Sequence, residues 1–364
     1  MATYKQAAGF DFDESTEHSV LSVQHLIAKE PLSSIPQQFV RPNQEPQSTF
    51  SNAETGSLPT VPTIDMKQLL SDEASADIEL EKLHSACKEW GLFQLVNHGV
   101  STSLLDKFKH EIEEFFQLPL EEKAKYRKTG DLEGYGCDQI ITKDKKLDWG
   151  DRLYMTTNPL NSRKSHIIPE LPYSFRNTLE SYIVELQKLA VKVLDFLGRR
   201  LKMEKREMGE LFEDGRQSVR ITYYPPCPQP ELVMGITPHT DGTGITILNQ
   251  VNGVNGLELK KDGIWIPVNV LSNALIVNLG DIIEIMSNGM YKSVEHRAIV
   301  NTEKERISVA MFISPHLDAE IGPVTSLTSP QNPPIFKTIG MEKYVKNFFT
   351  YNHEGRSHLE YMRL

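Results

Sequence analysis

The strongest constraint on the fold is a change of hydrophobic pattern near residue 217, where the chain becomes a series of short β-rich runs. The runs cover residues 219–224, 245–250, 257–260, 264–268, 274–278, 293–301 and 307–313. Lys261-Asp262-Gly263 separates two of them, and Asp-Gly supplies the positive φ angles of a tight hairpin turn. Short, regularly spaced strands predict an antiparallel sandwich or jelly roll.

Helical periods dominate the chain before that change. Apolar side chains recur at helical spacing in residues 80–90, 104–116 and 173–202, and a buried strand is predicted at 92–97. We therefore expect a mixed α and β protein, with helices from the N-terminal half flanking an antiparallel β core.

Composition narrows the class of partner. The 364 residues include 39 Lys and Arg against 49 Asp and Glu, a net charge of −10. Nucleic acids and anionic membranes select clustered basic residues, so we expect neither as a partner and predict a small-molecule substrate. No stretch has transmembrane length, and the acidic N-terminus is unlike a secretory signal. The three cysteines are scattered without C-x-x-C spacing, which favours a reducing, cytoplasmic compartment.

Two histidines and one aspartate form a candidate metal site. His239 and Asp241 stand at i and i+2, so in an extended segment they project from the same side, and His296 lies on another predicted strand. An isolated H-x-D sequence usually has only a structural role, but a jelly roll can place the strand that carries His296 opposite the segment of His239 and Asp241. Two imidazoles and one carboxylate make the facial triad of non-haem Fe(II) oxygenases, although zinc or manganese also accepts these ligands.

Arg306 and Ser308 suggest an anion site beside the metal. They are also at i and i+2 and share one strand face, where a guanidinium and a hydroxyl can clamp a carboxylate. Taken alone, Arg306 is more often a surface residue paired with Glu303 or Glu305. Together with the triad, the clamp predicts a dicarboxylate co-substrate.

These motifs resemble a known family. The chain reads H-T-D-G-T-G-I-T-I-L at 239–248, V-E-H-R-A-I-V-N at 294–301, E-R-I-S at 305–308 and Y-Y-P-P-C-P at 223–228. With V-P-T-I-D at 61–65 and A-C-K-E-W-G-L-F-Q-L-V-N-H-G at 86–99, it resembles the plant soluble 2-oxoglutarate/Fe(II)-dependent dioxygenases of specialised metabolism. The branch it most resembles holds senescence-related dioxygenases, thebaine and codeine O-demethylases and norcoclaurine-synthase-like proteins.

The resemblance implies a double-stranded β-helix, or jelly-roll, core with iron held by His239, Asp241 and His296. It also implies that Arg306 and Ser308 bind the distal carboxylate of 2-oxoglutarate with help from Tyr224. Many relatives read Asn-Tyr-Tyr-Pro, whereas Thr222 replaces that Asn here. Thr222 keeps a hydrogen-bonding hydroxyl on a shorter side chain, so the co-substrate geometry on that side is expected to differ.

The implied reaction consumes dioxygen and 2-oxoglutarate and yields succinate and CO2, with ascorbate as reductant. Oxidation of the substrate then gives hydroxylation, O-demethylation or desaturation. Substrate contacts are expected around five residues, and an apolar wall with a few polar groups suits an aromatic or alkaloid-type metabolite. They are Tyr135, Cys137, Gln139, Phe312 and Ser314. Core packing of Tyr135 and Phe312 is an equally good interpretation.

The pattern divides the chain into five segments. We expect an extended arm with a short helix at 1–60, an N-terminal dioxygenase domain at 61–170, a helical connector at 171–214, the jelly-roll core at 215–316, and a C-terminal segment at 317–364. The last segment either closes over the pocket as a lid or packs outside it. We expect a monomer or weak homodimer.

Other histidines show no ligand spacing. His98 is expected to make a structural hydrogen bond at a turn, and the rest, including His358, are assigned to the surface or to helix faces.

Alternatives remain open at this stage. The scaffold also suits a hormone-modifying dioxygenase, a non-oxidative metal-dependent condensing enzyme, or a protein that binds a small molecule without converting it.

Overall fold

The protein is described by a computed structural model that covers residues 22–29, 34–41, 59–127, 133–137, 146–204, 207–351 and 358–364. Its α-helices are α1 Val23–Lys29, α2 Met66–Leu69, α3 Glu73–Glu89, α4 Thr102–Gln117, α5 Leu120–Ala124, α6 Phe175–Arg200, α7 Gly209–Glu213, α8 Asp281–Met286, α9 Met341–Tyr351 and α10 His358–Met362. Its strands are β1 Thr63–Asp65, β2 Leu92–Val96, β3 Gly134–Gly136, β4 Asp151–Asn158, β5 Gln217–Tyr224, β6 Ile236–His239, β7 Ile245–Gln250, β8 Leu257–Lys261, β9 Ile264–Pro267, β10 Leu275–Leu279, β11 His296–Ala298, β12 Arg306–Ile313, β13 Glu320–Ile321 and β14 Ile339–Gly340.

Two sheets form the β core. The major sheet has eight strands in the order β1-β2-β10-β7-β12-β5-β4-β3, and the minor sheet has four in the order β6-β11-β8-β9. From β5 to β12 the chain passes repeatedly between the sheets, because β5, β7, β10 and β12 belong to the major one and β6, β8, β9 and β11 to the minor one. This alternation is that of a jelly roll, so the predicted fold class is confirmed.

The predicted strands appear close to their expected positions. Asp262 and Gly263 have φ angles of 51° and 80° between β8 and β9, as the Asp-Gly turn requires. The run at 293–301 is shorter than predicted, since only His296–Ala298 forms a strand. Sequence reasoning assigned no strand to β1, β3, β6, β13 or β14, and it also missed β4. Its Arg152 and Tyr154 are only partly buried and alternate with buried neighbours, so β4 has no continuous apolar run.

The long helices cover the outside of the major sheet. Helix α6 buries Leu186, Val193 and Leu197 in the main core, and α4 adds Phe108 and Phe115 to the same cluster. The segment predicted as a separate unit at 61–170 contributes β1 to β4 to the major sheet, so the sheet is continuous across that boundary. Within the residues described, no helix is both long and apolar enough to cross a membrane.

The described part of the N-terminal arm packs against the core. Val23, Ile35 and Phe39 are buried with Trp149 and Tyr224, and the Phe39 and Trp149 rings meet edge to face at 5.2 Å. This packing places the arm beside the strand that carries Tyr224.

The buried carboxylate of Asp151 anchors the start of α1. It accepts hydrogen bonds from Ser22 Oγ at 2.5 Å, from the backbone nitrogens of Val23 at 2.7 Å and Gln24 at 3.2 Å, and from Tyr135 Oη at 3.2 Å. Burial raises the pKa of Asp151, and the hydrogen bonds from the arm oppose that rise.

We expect Asp151→Ala to lower the unfolding free energy by roughly 2–3 kcal/mol, because buried donors lose their acceptor. Hydrogen exchange of residues 22–29 should accelerate at the same time. The matched control is Asp195→Ala, which removes only an exposed ion pair with Arg199 and should change stability by less than about 0.5 kcal/mol. Unchanged exchange in Asp151→Ala would contradict the anchoring role.

Candidate active site

The two predicted histidines meet across neighbouring strands of the minor sheet. His239 ends β6, His296 begins β11, and the two residues are direct partners in the antiparallel register. Their ring centroids lie 4.3 Å apart. Asp241 follows two residues after His239, and its Oδ1 lies 3.6 Å from His239 Nε2 and 3.8 Å from His296 Nε2. The three potential ligand atoms are all within 4.8 Å of one another.

Backbone carbonyls fix the orientation of both imidazoles. His239 Nδ1 donates to the Thr237 carbonyl at 2.7 Å, and His296 Nδ1 donates to the Val294 carbonyl at 3.0 Å. With each Nδ1 engaged by a carbonyl, the Nε2 of each ring faces Asp241 Oδ1 and is the nitrogen that a metal would bind, as in sites where outer hydrogen bonds orient metal-binding histidines.

The second carboxylate oxygen of Asp241 is held from the major sheet. Thr246 Oγ1 donates to Oδ2 at 2.5 Å from β7, and Asn278 Nδ2 donates at 2.7 Å from β10. Sequence reasoning missed both residues. Thr246 lies inside the H-T-D-G-T-G-I-T motif, whereas nothing local marked Asn278.

The electrostatics favour a bound cation. Burial opposes the charge of Asp241, but the imidazoles beside it outweigh burial and hold the pKa of this carboxyl below its ordinary range. Burial lowers the pKa of His239, but Asp241 raises it by more than burial lowers it, so the net shift is upward. Burial and the neighbouring His239 lower the pKa of His296. An ionised carboxylate and two imidazole nitrogens converging on one point fit Fe(II).

The co-substrate clamp forms on the paired strands β5 and β12. Arg306 is opposite Tyr224 in the register, and Ser308 is opposite Thr222. The Arg306 guanidinium carbon lies 5.0 Å from the Tyr224 ring centroid, and Arg306 Nη1 is 3.4 Å from Ser308 Oγ.

Arg306 is only 2% exposed, its Nε has no hydrogen-bond partner, and no carboxylate pairs with it in the part of the chain that the structure describes. Glu305 is engaged elsewhere, accepting a hydrogen bond from the Tyr223 hydroxyl. The surface pairing with Glu303 or Glu305 is therefore wrong. A buried guanidinium without an acidic partner fits an anionic guest such as 2-oxoglutarate.

The Thr222 hydroxyl accepts a hydrogen bond from Arg220 Nε at 3.2 Å. Arg220 lies on the same face of β5 and lowers the pKa of His239 through its charge. Thr222 is thus linked to a cation near the metal ligands, a feature that sequence reasoning did not identify.

The predicted substrate residues fall in different places. Tyr135 is 1% exposed and directs its hydroxyl to Asp151, which favours the core interpretation for this side chain. Cys137 is buried in the cluster that receives the arm. Phe312 is partly exposed on the face of β12 that carries Arg306, and Ser314 is buried just beyond the end of β12. Gln139 lies outside the described residues.

Two histidine assignments can be compared with the structure. His98 accepts from the Val100 nitrogen and donates to the Asn273 carbonyl, so its predicted structural hydrogen bonding is confirmed. His358 begins helix α10, which agrees with one of its two expected locations, but it is 1% exposed and so does not lie on the surface, and neither ring nitrogen has a hydrogen-bond partner in the described residues. Its ring packs edge to face on Tyr344 at 4.7 Å, because α9 and α10 fold against each other.

Helix α9 packs against the loop that carries Asp241. A Cβ added to Gly242 would lie 2.2 Å from the Phe348 ring, so the absence of a side chain there permits the contact. The C-terminal segment therefore contacts the metal-site loop directly, and its movement as a lid stays a prediction.

A jelly roll with a His-Asp-His facial triad and a buried arginine clamp defines the class of non-haem Fe(II) oxygenases. The 2OG-Fe(II) oxygenase superfamily profile matches residues 215–315, and the profile for the N-terminal region of non-haem dioxygenases in morphine synthesis matches residues 61–172.

Characterised relatives extend the similarity along most of the chain. Identity is 47% with oxoglutarate-dependent flavonoid 7-O-demethylase 1 of Ocimum basilicum, over 95% of this chain and 91% of the relative. Identity is 48% with codeine O-demethylase of Papaver somniferum, over 95% of this chain and 96% of the relative. The crystal structure of JOX2 in complex with 2OG, Fe and JA superposes with a TM-score of 0.85, at 34% identity, covering 95% of this chain and 98% of JOX2. The chain belongs to the 2OG-Fe(II) oxygenase superfamily.

We expect metal binding to release protons increasingly as the pH falls below the pKa of His239, because a metal binds only the neutral imidazole. Burial lowers the pKa of His239 but Asp241 raises it more, so it lies above its ordinary value of 6.5, whereas the pKa values of His296 and Asp241 are lowered. Affinity for Co(II), a stable substitute for Fe(II), should therefore fall by about tenfold per pH unit below the pKa of His239. Isothermal titration at several pH values, in buffers of different ionisation enthalpy, measures the released protons, and a number of protons that does not rise as the pH falls would refute this assignment.

We expect Arg306→Met to weaken 2-oxoglutarate binding by roughly 100-fold or more, since two charge-assisted hydrogen bonds are lost. The readout is the KM for 2-oxoglutarate in substrate-stimulated succinate formation. Glu303→Gln is the control, because Glu303 is exposed and close in sequence to the clamp. A similar KM in both variants would show that the co-substrate binds elsewhere.

Proposed function

We propose that this oxygenase removes an O-methyl group from a polycyclic aromatic plant metabolite of the flavonoid or alkaloid type. The observation that carries the proposal is that Arg306 is buried without a carboxylate partner among the described residues, on the strand face that also bears Phe312. One side of the pocket thus suits a dicarboxylate, and the adjoining side suits a flat apolar ring system.

The inner face of the jelly roll supports an aromatic substrate. Ala310 and Phe312 follow Arg306 and Ser308 at alternate positions of β12, so the four side chains share one face. Leu248 of β7 is the register partner of Ala310. All three apolar residues are partly exposed, unlike the core-facing side chains between them.

The relatives support O-demethylation as the outcome. Two proteins at 47–48% identity are named as O-demethylases, one of a flavonoid and one of codeine. Their substrates differ in skeleton and share a methoxyl group, so we infer that this chain also presents a methoxyl carbon to the metal.

The reaction balances with the two co-substrates. Iron(II), when bound, supplies the activation of dioxygen that accompanies oxidative decarboxylation of 2-oxoglutarate. One oxygen atom enters succinate as CO2 leaves, and the other converts the methoxyl carbon R–O–CH3 into R–O–CH2OH. This hemiacetal loses formaldehyde and leaves R–OH.

The protein's own contribution is positioning. Arg306 and Ser308 would hold the distal carboxylate, with Tyr224 and Thr222 beside it on β5. His239, Asp241 and His296 would hold the metal, and Thr246 with Asn278 keeps Asp241 oriented. The apolar part of the pocket would exclude water and limit uncoupled oxidation.

Finer features stay predictions. We propose that ascorbate serves as reductant, that the protein acts as a monomer or weak homodimer, and that it works in the cytoplasm without nucleic-acid or membrane partners. Gel filtration tests the oligomeric state, and fractionation of the source tissue tests the compartment and the absence of nucleic-acid and membrane partners.

Other functions have specific support to be tested. The 39% identity with S-norcoclaurine synthase 1 of Coptis japonica supports the alternative of a condensing enzyme. The similarity to JOX2, solved in complex with JA, supports the alternative of a hormone-modifying dioxygenase. A pure binding protein would need no intact triad.

The deciding experiment measures succinate and formaldehyde from iron-loaded protein with 2-oxoglutarate and air, across methoxylated flavonoids, benzylisoquinoline alkaloids and hormone precursors. We expect one methoxylated class to stimulate both products and to lose one methylene by mass spectrometry. Asp241→Ala should reduce turnover to the level of iron-free protein, because a metal ligand is gone.

Each contrary outcome identifies a rival. Conversion under nitrogen without 2-oxoglutarate would establish the condensing enzyme. Binding without succinate, unchanged by Asp241→Ala, would establish a binding protein, and a product one oxygen heavier from a hormone precursor would establish the hormone-modifying enzyme.

A further inference from the structure

We propose that Arg41, in the N-terminal arm, and Asp148 are positioning residues for the metal ligand His239. They act through Thr237, whose carbonyl orients the imidazole. The inference concerns the metal site alone, so it does not depend on which organic substrate the enzyme takes.

The need for such support follows from the sheet order. Strand β6 stands at the end of the minor sheet and pairs only with β11 among the described strands. His296, in contrast, lies on a strand flanked by β6 and β8. The side chain of His239 is 29% exposed against 11% for His296. An edge strand lacks one set of lateral hydrogen bonds, so His239 is the ligand less restrained by the sheet itself.

Residues 148 and 149 supply contacts along that free edge. Asp148 Oδ1 accepts hydrogen bonds from Thr237 Oγ1 at 2.6 Å and from the Thr237 backbone nitrogen at 3.2 Å. The Trp149 nitrogen donates to the Met234 carbonyl at 2.7 Å. Asp148 thus holds Thr237 through its backbone nitrogen and hydroxyl, while the Thr237 carbonyl, in the next peptide unit, accepts a hydrogen bond from His239 Nδ1 at 2.7 Å.

The arm completes the arrangement with a positive charge. Arg41 Nη2 donates to Asp148 Oδ1 and to the Lys146 carbonyl, both at 3.0 Å, and lies 3.4 Å from Thr237 Oγ1. The Arg41 backbone nitrogen donates to the Leu232 carbonyl at 2.8 Å. The Arg41 and Asp148 side chains are 18% and 14% exposed, so the pair is largely shielded from solvent. Shielding strengthens the pair and makes each partner costly to remove.

The contacts form one continuous path from the arm to the metal site. Arg41 fixes Asp148, Asp148 fixes the nitrogen and hydroxyl of Thr237, and the Thr237 carbonyl sets the ring plane and tautomer of His239. Loss of outer partners of metal-binding histidines typically lowers metal affinity by about 10- to 100-fold. Because Asp148 is one step further out, we expect an effect near the lower limit.

The test measures metal affinity in the full-length protein. Metal-free Asp148→Ala and Arg41→Met are titrated with Co(II), followed by its visible absorption, and with Fe(II) plus 2-oxoglutarate without oxygen, followed by the charge-transfer band of the complex. We expect the dissociation constant to rise about tenfold for Asp148→Ala and several-fold for Arg41→Met. Arg41→Lys should recover part of the loss.

A double variant tests whether Arg41 works through Asp148. The combination of Arg41→Met and Asp148→Ala should bind metal no more weakly than Asp148→Ala alone. At saturating iron without oxygen, the dissociation constant for 2-oxoglutarate, followed by the same charge-transfer band, should stay within about twofold of the parent value, since the Arg306 clamp lies on other strands.

Lys146→Met is the matched control. Lys146 Nζ donates to the Gln37 carbonyl at 2.8 Å, so this variant also removes a contact between the arm and the same loop, but it does not touch Asp148 or Thr237. Its metal affinity should equal that of the parent. An equal affinity in Asp148→Ala would overturn the proposal and leave Asp148 a purely structural residue.

If Asp148→Ala does not fold, Arg41→Met and Thr237→Val test the proposal. Thr237→Val removes one hydrogen-bond donor to Asp148 and keeps the branched shape of the side chain. Parent-like metal affinity in both of these variants would likewise overturn the proposal. Since no organic substrate is added, a negative result in the demethylase assay leaves this test unaffected.

Discussion

The site depends on the register between β6 and β11. His239 and His296 are direct cross-strand partners, and side chains alternate between the two faces of a strand. A slip of one residue would turn His296 to the opposite face and leave Asp241 with a single imidazole. The carbonyls of Thr237 in β6 and of Val294 just before β11 accept hydrogen bonds from the two rings. The backbone that pairs these strands therefore also orients the two imidazoles.

A second consequence of alternation links the core to the co-substrate site. Along β12, Ile307, Val309 and Met311 are buried in the main core, while Arg306 and Ser308 face the interior of the jelly roll. Apolar burial on one face thus offsets the cost of a desolvated guanidinium on the other. Because that guanidinium lacks a carboxylate partner in the described residues, its charge is available to a dicarboxylate.

The segments outside the jelly roll complete the site instead of merely surrounding it. Phe348 of α9 packs on Gly242, beside Asp241, and the arm contacts β6 through Arg41 and Asp148. Strands β1 and β2 extend the major sheet next to β10, which carries Asn278. The segments that carry His239 and Asp241 are therefore contacted by three distant parts of the chain.

Local spacing in the sequence, together with the family resemblance, indicated His239, Asp241 and His296 as candidate ligands and Arg306 with Ser308 as a candidate clamp, and it predicted most strands of the jelly roll, because i and i+2 positions report which side chains share a face. Strand β4 was not predicted, since its interior face is polar and resembles a loop. The sequence left Tyr135 open between the pocket and the core and His358 between the surface and a helix face, because a side chain's type does not state what covers it. Only the tertiary structure decided that Arg41 would meet Thr237, 196 residues away, and that Asn278 would hold Asp241. Such contacts arise from the packing of whole elements, for which short sequence windows carry no signal.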